Sequence, residues 1–152
     1  MISCTFAGHR EILHTGIDAK VSGIIEELLN TDTDFCFYTG GMGQFDALCE
    51  SSVRRLRAKY PDKYIRLILV EPYMKQSINT EGQHLLRLYD DVIIPDELLG
   101  MHYKSAITLR NRWMIDHSQY LITYIHRTYG GAYMMSRYAE RKKRRILTTL
   151  PI

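Results

Sequence analysis

The chain has 152 residues, 45% hydrophobic and 24% charged, with a formal net charge of +3. That balance excludes a disordered chain, and no run approaches the roughly 20 apolar residues of a membrane-spanning helix. Three sparse cysteines, Cys4, Cys36 and Cys49, form no Cys-x-x-Cys pair and have no histidine at zinc-ligand spacing, so no metal is expected and no cofactor is implied.

In chain order, residues 2–6 read as a first strand, followed by a polar turn at Gly8, His9 and Arg10. Residues 18–30 carry Val21, Ile24, Ile25, Leu28 and Leu29 at helical spacing. Residues 35–38 form a short apolar run before Gly40 and predict a second strand. Residues 44–60 predict a helix with Phe45, Leu48, Cys49, Ser52, Leu56 and Tyr60 on one face, stopped by Pro61. Residues 65–70 predict a third strand, and 81–90 a helix after a loop over 71–80. Residues 92–94 predict a fourth strand and 103–117 a helix. Residues 120–125, 131–142 and 146–150 predict a strand, a helix and a closing strand. The alternation predicts one α/β domain over residues 1–152, Rossmann-like, with a mostly parallel sheet of about six strands and helices on both faces. The opening residues lack a basic segment followed by a long apolar one, which gives the expectation of a cytoplasmic protein with reduced thiols.

Two glycine pairs fall at strand-to-helix junctions: Gly40-Gly41-Met42-Gly43, running on to Asp46, and Gly130-Gly131, running on to Tyr133. Glycine there permits positive φ and close approach of a ligand to the backbone. The helix that follows offers unpaired N–H groups and the positive end of its dipole, an anion site. The alternative is a tight turn with no ligand. Two such turns at one end of a parallel sheet favour binding. Gly41 to Asp46 fits the dinucleotide fingerprint poorly, with Asp in place of the last small residue, and no Walker-type loop is present.

The helix over 103–117 places Arg110 in the middle of the face made by Ala106, Ile107, Trp113 and Met114. Asn111 is beside it and Arg112 points away. A buried arginine needs a carboxylate or a phosphate. The choice is an internal ion pair, with Asp46 or Asp116, or a phosphate clamp facing the glycine turns. The basic run Arg141-Lys142-Lys143-Arg144-Arg145 reads first as a helix end, since cations suit a helix C-terminus.

The ordered set Thr5 to Arg10, Tyr38 to Asp46, Leu109 to Met114 and Tyr129 to Tyr133 resembles the SLOG superfamily, in its branch of small bacterial stand-alone proteins. The superfamily includes the Lonely Guy phosphoribohydrolases and the Smf/DprA DNA-processing proteins. The resemblance implies a Rossmann-like sheet with ligand loops after the first, second and fifth strands, and a homodimer. It implies ligand contacts from Gly8, His9, Arg10, Gly40, Gly41, Met42, Gly43, Asp46, Arg110, Asn111, Gly130, Gly131 and Tyr133.

In the phosphoribohydrolases an Arg-Lys-x-x-Met helix is functional, matched here at Arg110 and Met114. Their second glycine motif ends in a catalytic glutamate, but Ser136, Arg137 and Tyr138 hold no carboxylate. Cleaving an N-glycosidic bond needs such a group, which leaves Asp46 or Glu71 as the candidates. The expected function is therefore binding of a phosphate-bearing, nucleotide-derived small molecule, such as a nucleotide or ADP-ribose, at the carboxyl ends of the strands. A nucleoside 5'-monophosphate N-glycosidase is the first alternative and a single-stranded DNA binder the second. Tyr73, Tyr103 and Tyr133 are candidate stacking groups.

Overall fold

The computed structural model describes residues 1–75, 82 and 84–151. In chain order these form β1 (Ile2–Gly8), α1 (Ile17–Leu29), β2 (Asp34–Thr39), α2 (Gly43–Lys59), β3 (Tyr64–Val70), β4 (Asp91–Ile93), a 3₁₀ turn (Asp96–Leu98), α3 (Tyr103–Asp116), β5 (Tyr120–Tyr124), α4 (Gly131–Arg141) and β6 (Arg145–Thr148). The backbone is also helical at 84–88. Parts of the expected helix over 81–90 and of the loop over 71–80 lie outside the described residues. The 3₁₀ turn carries no sequence expectation, and Gly8, expected in a turn, is the last residue of β1.

The strands form one all-parallel sheet in the order β4-β3-β2-β1-β5-β6. The chain thus runs outward from β1 to β4, then returns to place β5 on the free side of β1. Parallel connections are right-handed, so helices made on the outward run and on the return cover opposite faces. One core packs α1 and α2 against Cys4, Phe6, Phe35, Phe37, Leu67 and Ile122. The other packs Met114, Ile115, Met135 and Ala139 of α3 and α4 against Ala7, Cys36, Ile68 and Leu121. Successive strand residues alternate between the two cores, as the pleat requires, and strands covered on both faces read as unbroken apolar runs. Each buried Leu, Ile or Phe contributes about 1.5–3 kcal/mol. Burial also holds the thiols of Cys4 and Cys49 above the ordinary range, so they behave as inert packing groups.

Of the expected α1 stripe, Val21, Ile25, Leu28 and Leu29 are buried and Ile24 is half-buried, while Ile17, one residue before the expected start, joins the core. The buried face of α2 is broader than expected, adding Val53 and two carboxylates, Asp46 and Glu50. Glu50 is tolerated because its oxygens accept from Thr39 Oγ1 at 2.7 Å and from the Tyr89 hydroxyl at 2.6 Å.

Two glycines show how differently the same residue type is used. A Cβ on Gly8 would lie 2.2 Å from the Phe45 ring, which is itself fully buried. Gly23, exposed in the middle of α1, has nothing within 4 Å of such an atom. Gly8→Ala is therefore expected to destabilise by about 1–3 kcal/mol or more. Gly23→Ala is expected to stabilise by about 0.5–1 kcal/mol. Chemical denaturation of both variants against the parent checks the opposite signs.

Candidate functional site

Strand order reverses between β1 and β5, and at such a point the loops leaving the two carboxyl ends part company. A cleft of about 460 Å³ opens there. The segment after β1 contributes Gly8, His9, Arg10, Glu11 and Leu13; the turn after β2 contributes Gly40 and Met42, with Asp46 of α2. From α3 come Ile107, Arg110, Asn111 and Met114, and from the β5 side His126, Arg127, Gly131, Ala132 and Met135. Nine sequence-predicted residues thus share one cleft: Gly8, His9, Arg10, Gly40, Met42, Asp46, Arg110, Asn111 and Gly131. Gly41, Gly43, Gly130 and Tyr133 do not line it, nor do Tyr73 and Tyr103.

Arg110 is 2% exposed and does not form the internal ion pair that was one of its two expected forms. Among the described residues it has no carboxylate ion pair, and Asp116 instead meets Lys142 at 3.7 Å. Its guanidinium sits on strand-end carbonyls: Nη1 donates to Val70 O at 2.8 Å and Gly40 O at 3.4 Å. Nε donates to Asn111 Oδ1 at 2.9 Å, and Nη2 reaches Met42 Sδ at 3.3 Å. Four of its five N–H groups are therefore committed. Burial lowers its pKa, while the charges of Asp46 and Glu71 oppose the shift. Gly40 is glycine because a Cβ there would lie 3.1 Å from the guanidinium carbon.

The two glycine turns differ in what their helices leave open. At α2, which likewise has no side-chain cap, the protein takes up part of its own N-terminus: Gln44 N donates to Arg10 O at 2.8 Å, and the N-cap amide Met42 N donates to Asp46 Oδ2 at 3.1 Å. A Cβ on Gly43, whose φ is +89°, would lie 2.8 Å from Arg10 Cα. This turn is closed by packing. At α4 no side chain caps the helix, Gly130 has φ +96°, and nothing stands within 4 Å of a Cβ on Gly131. Among the described residues no side chain or loop carbonyl accepts from the amides of its first turn.

His9 is 3% exposed, and its backbone N–H donates to Tyr124 O at 3.3 Å. Its ring meets that of His126 edge to face, centroids 4.4 Å apart. Burial lowers the His9 pKa, and Arg127 and His126 lower it further. Asp46 moves the other way: burial pushes its carboxyl up to about 7, with Glu50 reinforcing the rise and the Met42 amide and Arg110 opposing it. Glu71, the other candidate carboxylate, lies off the cleft wall and meets Lys75 at 2.9 Å.

Sequence reasoning missed His126, Arg127 and Glu11. The signal for the first two was the position itself: residues just past a strand's carboxyl end, ahead of a glycine turn already singled out. The basic run lies at the opposite end of the sheet, where β1, β5 and β6 begin. Arg144 caps the end of α3, donating to Ile115 O and Asp116 O at 3.2 Å each, and Arg141, Lys142 and Arg145 lie over tyrosine rings.

No family model matches the chain. The X-ray structure of DNA processing protein A (DprA) from Streptococcus pneumoniae superposes with a TM-score of 0.67 over 97% of this chain, at 14% identity. DprA from Helicobacter pylori, a protein with a single-stranded DNA binding mode, gives 0.64 over 97% at 15% identity. The chain has the SLOG-type Rossmannoid fold. It spans 50% and 64% of those two proteins, so the SLOG-type unit is a part of each. In sequence it is a distant homologue of the uncharacterized SPbeta prophage-derived protein YoqJ of Bacillus subtilis (strain 168), 26% identical over 138 residues, covering 80% of this chain and 79% of the relative.

The raised Asp46 pKa has a consequence for stability. A carboxyl whose folded pKa lies above its ordinary 3.8 costs stability as pH rises from about 4 towards 7. Asp46→Asn keeps an acceptor for the Met42 amide and removes that loss. The variant is expected to gain on the parent by on the order of 2–4 kcal/mol between pH 4 and pH 8, read from denaturation curves at each pH.

Proposed function

We propose that the chain binds a phosphate-bearing, nucleotide-derived small molecule in the cleft between the carboxyl ends of β1 and β5, as a sensor or binding module. The observation that carries this reading is the uncapped N-terminus of α4, open to the same cleft as Arg10, Arg127 and Arg110. Among the described residues none of these three arginines is ion-paired to a carboxylate. The helix end contributes about 0.3–1 kcal/mol. Charge-assisted bonds from Arg10 and Arg127 add about 1.5–3 kcal/mol each. The sum of about 3–7 kcal/mol, with contacts to the remainder of the guest, reaches the micromolar range. Arg110 adds its field and one remaining N–H.

A second reading, N-glycosidase activity on a nucleoside 5'-monophosphate, is favoured by one observation. Asp46 lines the cleft with a carboxyl that titrates near 7, the range a general acid or base needs. Protonating the departing base and activating water on the ribose would both fall to this one group. The DNA reading has the least support: the basic run faces away from the cleft and its guanidinium groups are engaged within the fold.

Thermal unfolding with AMP, ADP-ribose, NAD and cyclic nucleotides tests the binding reading. A true ligand at 100 times its Kd stabilises by about 2.7 kcal/mol. Arg10→Ala with Arg127→Ala should abolish the shift, whereas Arg145→Ala should retain it. If none of the compounds stabilises the parent, or the double variant responds equally, the reading fails. Release of free adenine from AMP by the parent and not by Asp46→Asn would establish the enzyme; no release would leave a binding module.

A further inference from the structure

His9 and His126 come from the loops after β1 and β5, the two strands that flank the cleft. In both rings Nε2 is buried and has no hydrogen-bond partner among the described residues. Leaving a buried polar atom unpaired costs about 1–3 kcal/mol, and here the two rings that carry such atoms meet edge to face in the wall of one cleft. The neighbouring His14 differs: its Nδ1 is 2.6 Å from the Tyr124 hydroxyl, which also accepts from Leu13 N. The third member of the wall is Gly131, with open space in front of it at the start of α4.

We infer that His9 and His126 form the seat for the guest's phosphate, and that the seat takes up a proton as the anion enters. The inference rests on the binding reading above and specifies where in the cleft the charge sits: on the β5 side, against the α4 amides, away from Arg110. With the cleft empty, burial and the nearby Arg127 keep His9 neutral. Arg10 and, across the cleft, Arg110 act in the same direction. Glu11 and Asp46 favour the charged form, and the Tyr124 ring lies edge-on to both imidazoles. A phosphate arriving between the rings reverses this balance, because an adjacent anion favours the imidazolium. The ring that takes the proton donates Nε2–H to a phosphate oxygen as an imidazolium, and the other donates Nε2–H as its neutral tautomer, which pairs both orphaned atoms. A pKa raised by binding means affinity that grows as pH falls through the bound-state value and levels off below the free-state value.

The test is calorimetric titration of the full chain with ADP-ribose, whose diphosphate charge is constant between pH 6 and 8. It is paired with NMR titration of the histidine rings with and without inorganic sulfate. The expected result is affinity on the order of tenfold or more tighter at pH 6 than at pH 8, with protons taken up on binding. The titrations of His9 and His126 should move to higher pH while those of exposed His102 and His117 stay. His9→Gln with His126→Gln places an amide near each Nε2 position and should bind equally at both pH values. Should that double variant not fold, His126→Gln alone should reduce the pH effect. Binding that is independent of pH, with both imidazoles unmoved, overturns the seat and leaves the binding reading standing. If ADP-ribose does not bind, sulfate decides: movement of both rings upholds the seat without a nucleotide, and no movement overturns both.

Discussion

The cleft follows from one constraint on the chain, the placing of β5 on the side of β1 that β2 leaves free. Loops leaving β1 and β2 run toward one face and those leaving β5 toward the other, and the cleft opens between them at the end of β1. The same reversal puts α1 and α2 on one face and α3 and α4 on the other, and so buries both sides of the sheet. What the cleft contains is then decided by which residues stand at five or six strand-end positions. Here the charged and titratable groups are Arg10, Arg110, Arg127, His9 and His126, with Asp46 and Glu11 as the acidic ones.

Arg110 shows how a buried cation can be stabilised without a carboxylate. Parallel strands end in carbonyl groups that no longer have a ladder partner, and two of them, on Val70 and Gly40, accept from the guanidinium. The cost of burying the charge is offset by these bonds and by the fields of Asp46 and Glu71. The arginine therefore ties α3 to the ends of β2 and β3 and orders the turn at Gly40. Its charge still projects into the cleft, but most of its donors do not. Glu50 performs a comparable task on the other side of that turn: it accepts from Thr39 Oγ1, which in turn accepts from Gly41 N at 3.2 Å.

The fold was legible because its strongest signals are local. Strand positions with unbroken apolar runs and helix positions with three- and four-residue spacing fall where the periodicity puts them, usually to within one or two residues. The reversal itself was not legible, since nothing local says which strand β5 will join; the resemblance implied only which strand ends carry ligand loops. In the site, the position of Arg110 on the inner face of α3 was readable from spacing, but its partners were not, because carbonyls at strand ends leave no mark in the sequence. Gly40, Gly41 and Gly43 drew attention as places for a ligand. Gly40 and Gly43 also make room for Arg110 and for the backbone of Arg10, a role that needs three dimensions to see. His126 and Arg127 were within reach of reasoning about strand ends and were passed over because the glycine pair beyond them was the louder signal.

The central claim is that negative charge is received on the β5 side of the cleft. A crystal structure of the chain with ADP-ribose tests it most directly. The account predicts a phosphate group at the amides of Gly131 and Ala132, within hydrogen-bond reach of His9 and His126. Density for the compound at the amino ends of the strands, in the hollow bounded by Ile2, Gln119 and Arg145, would contradict it.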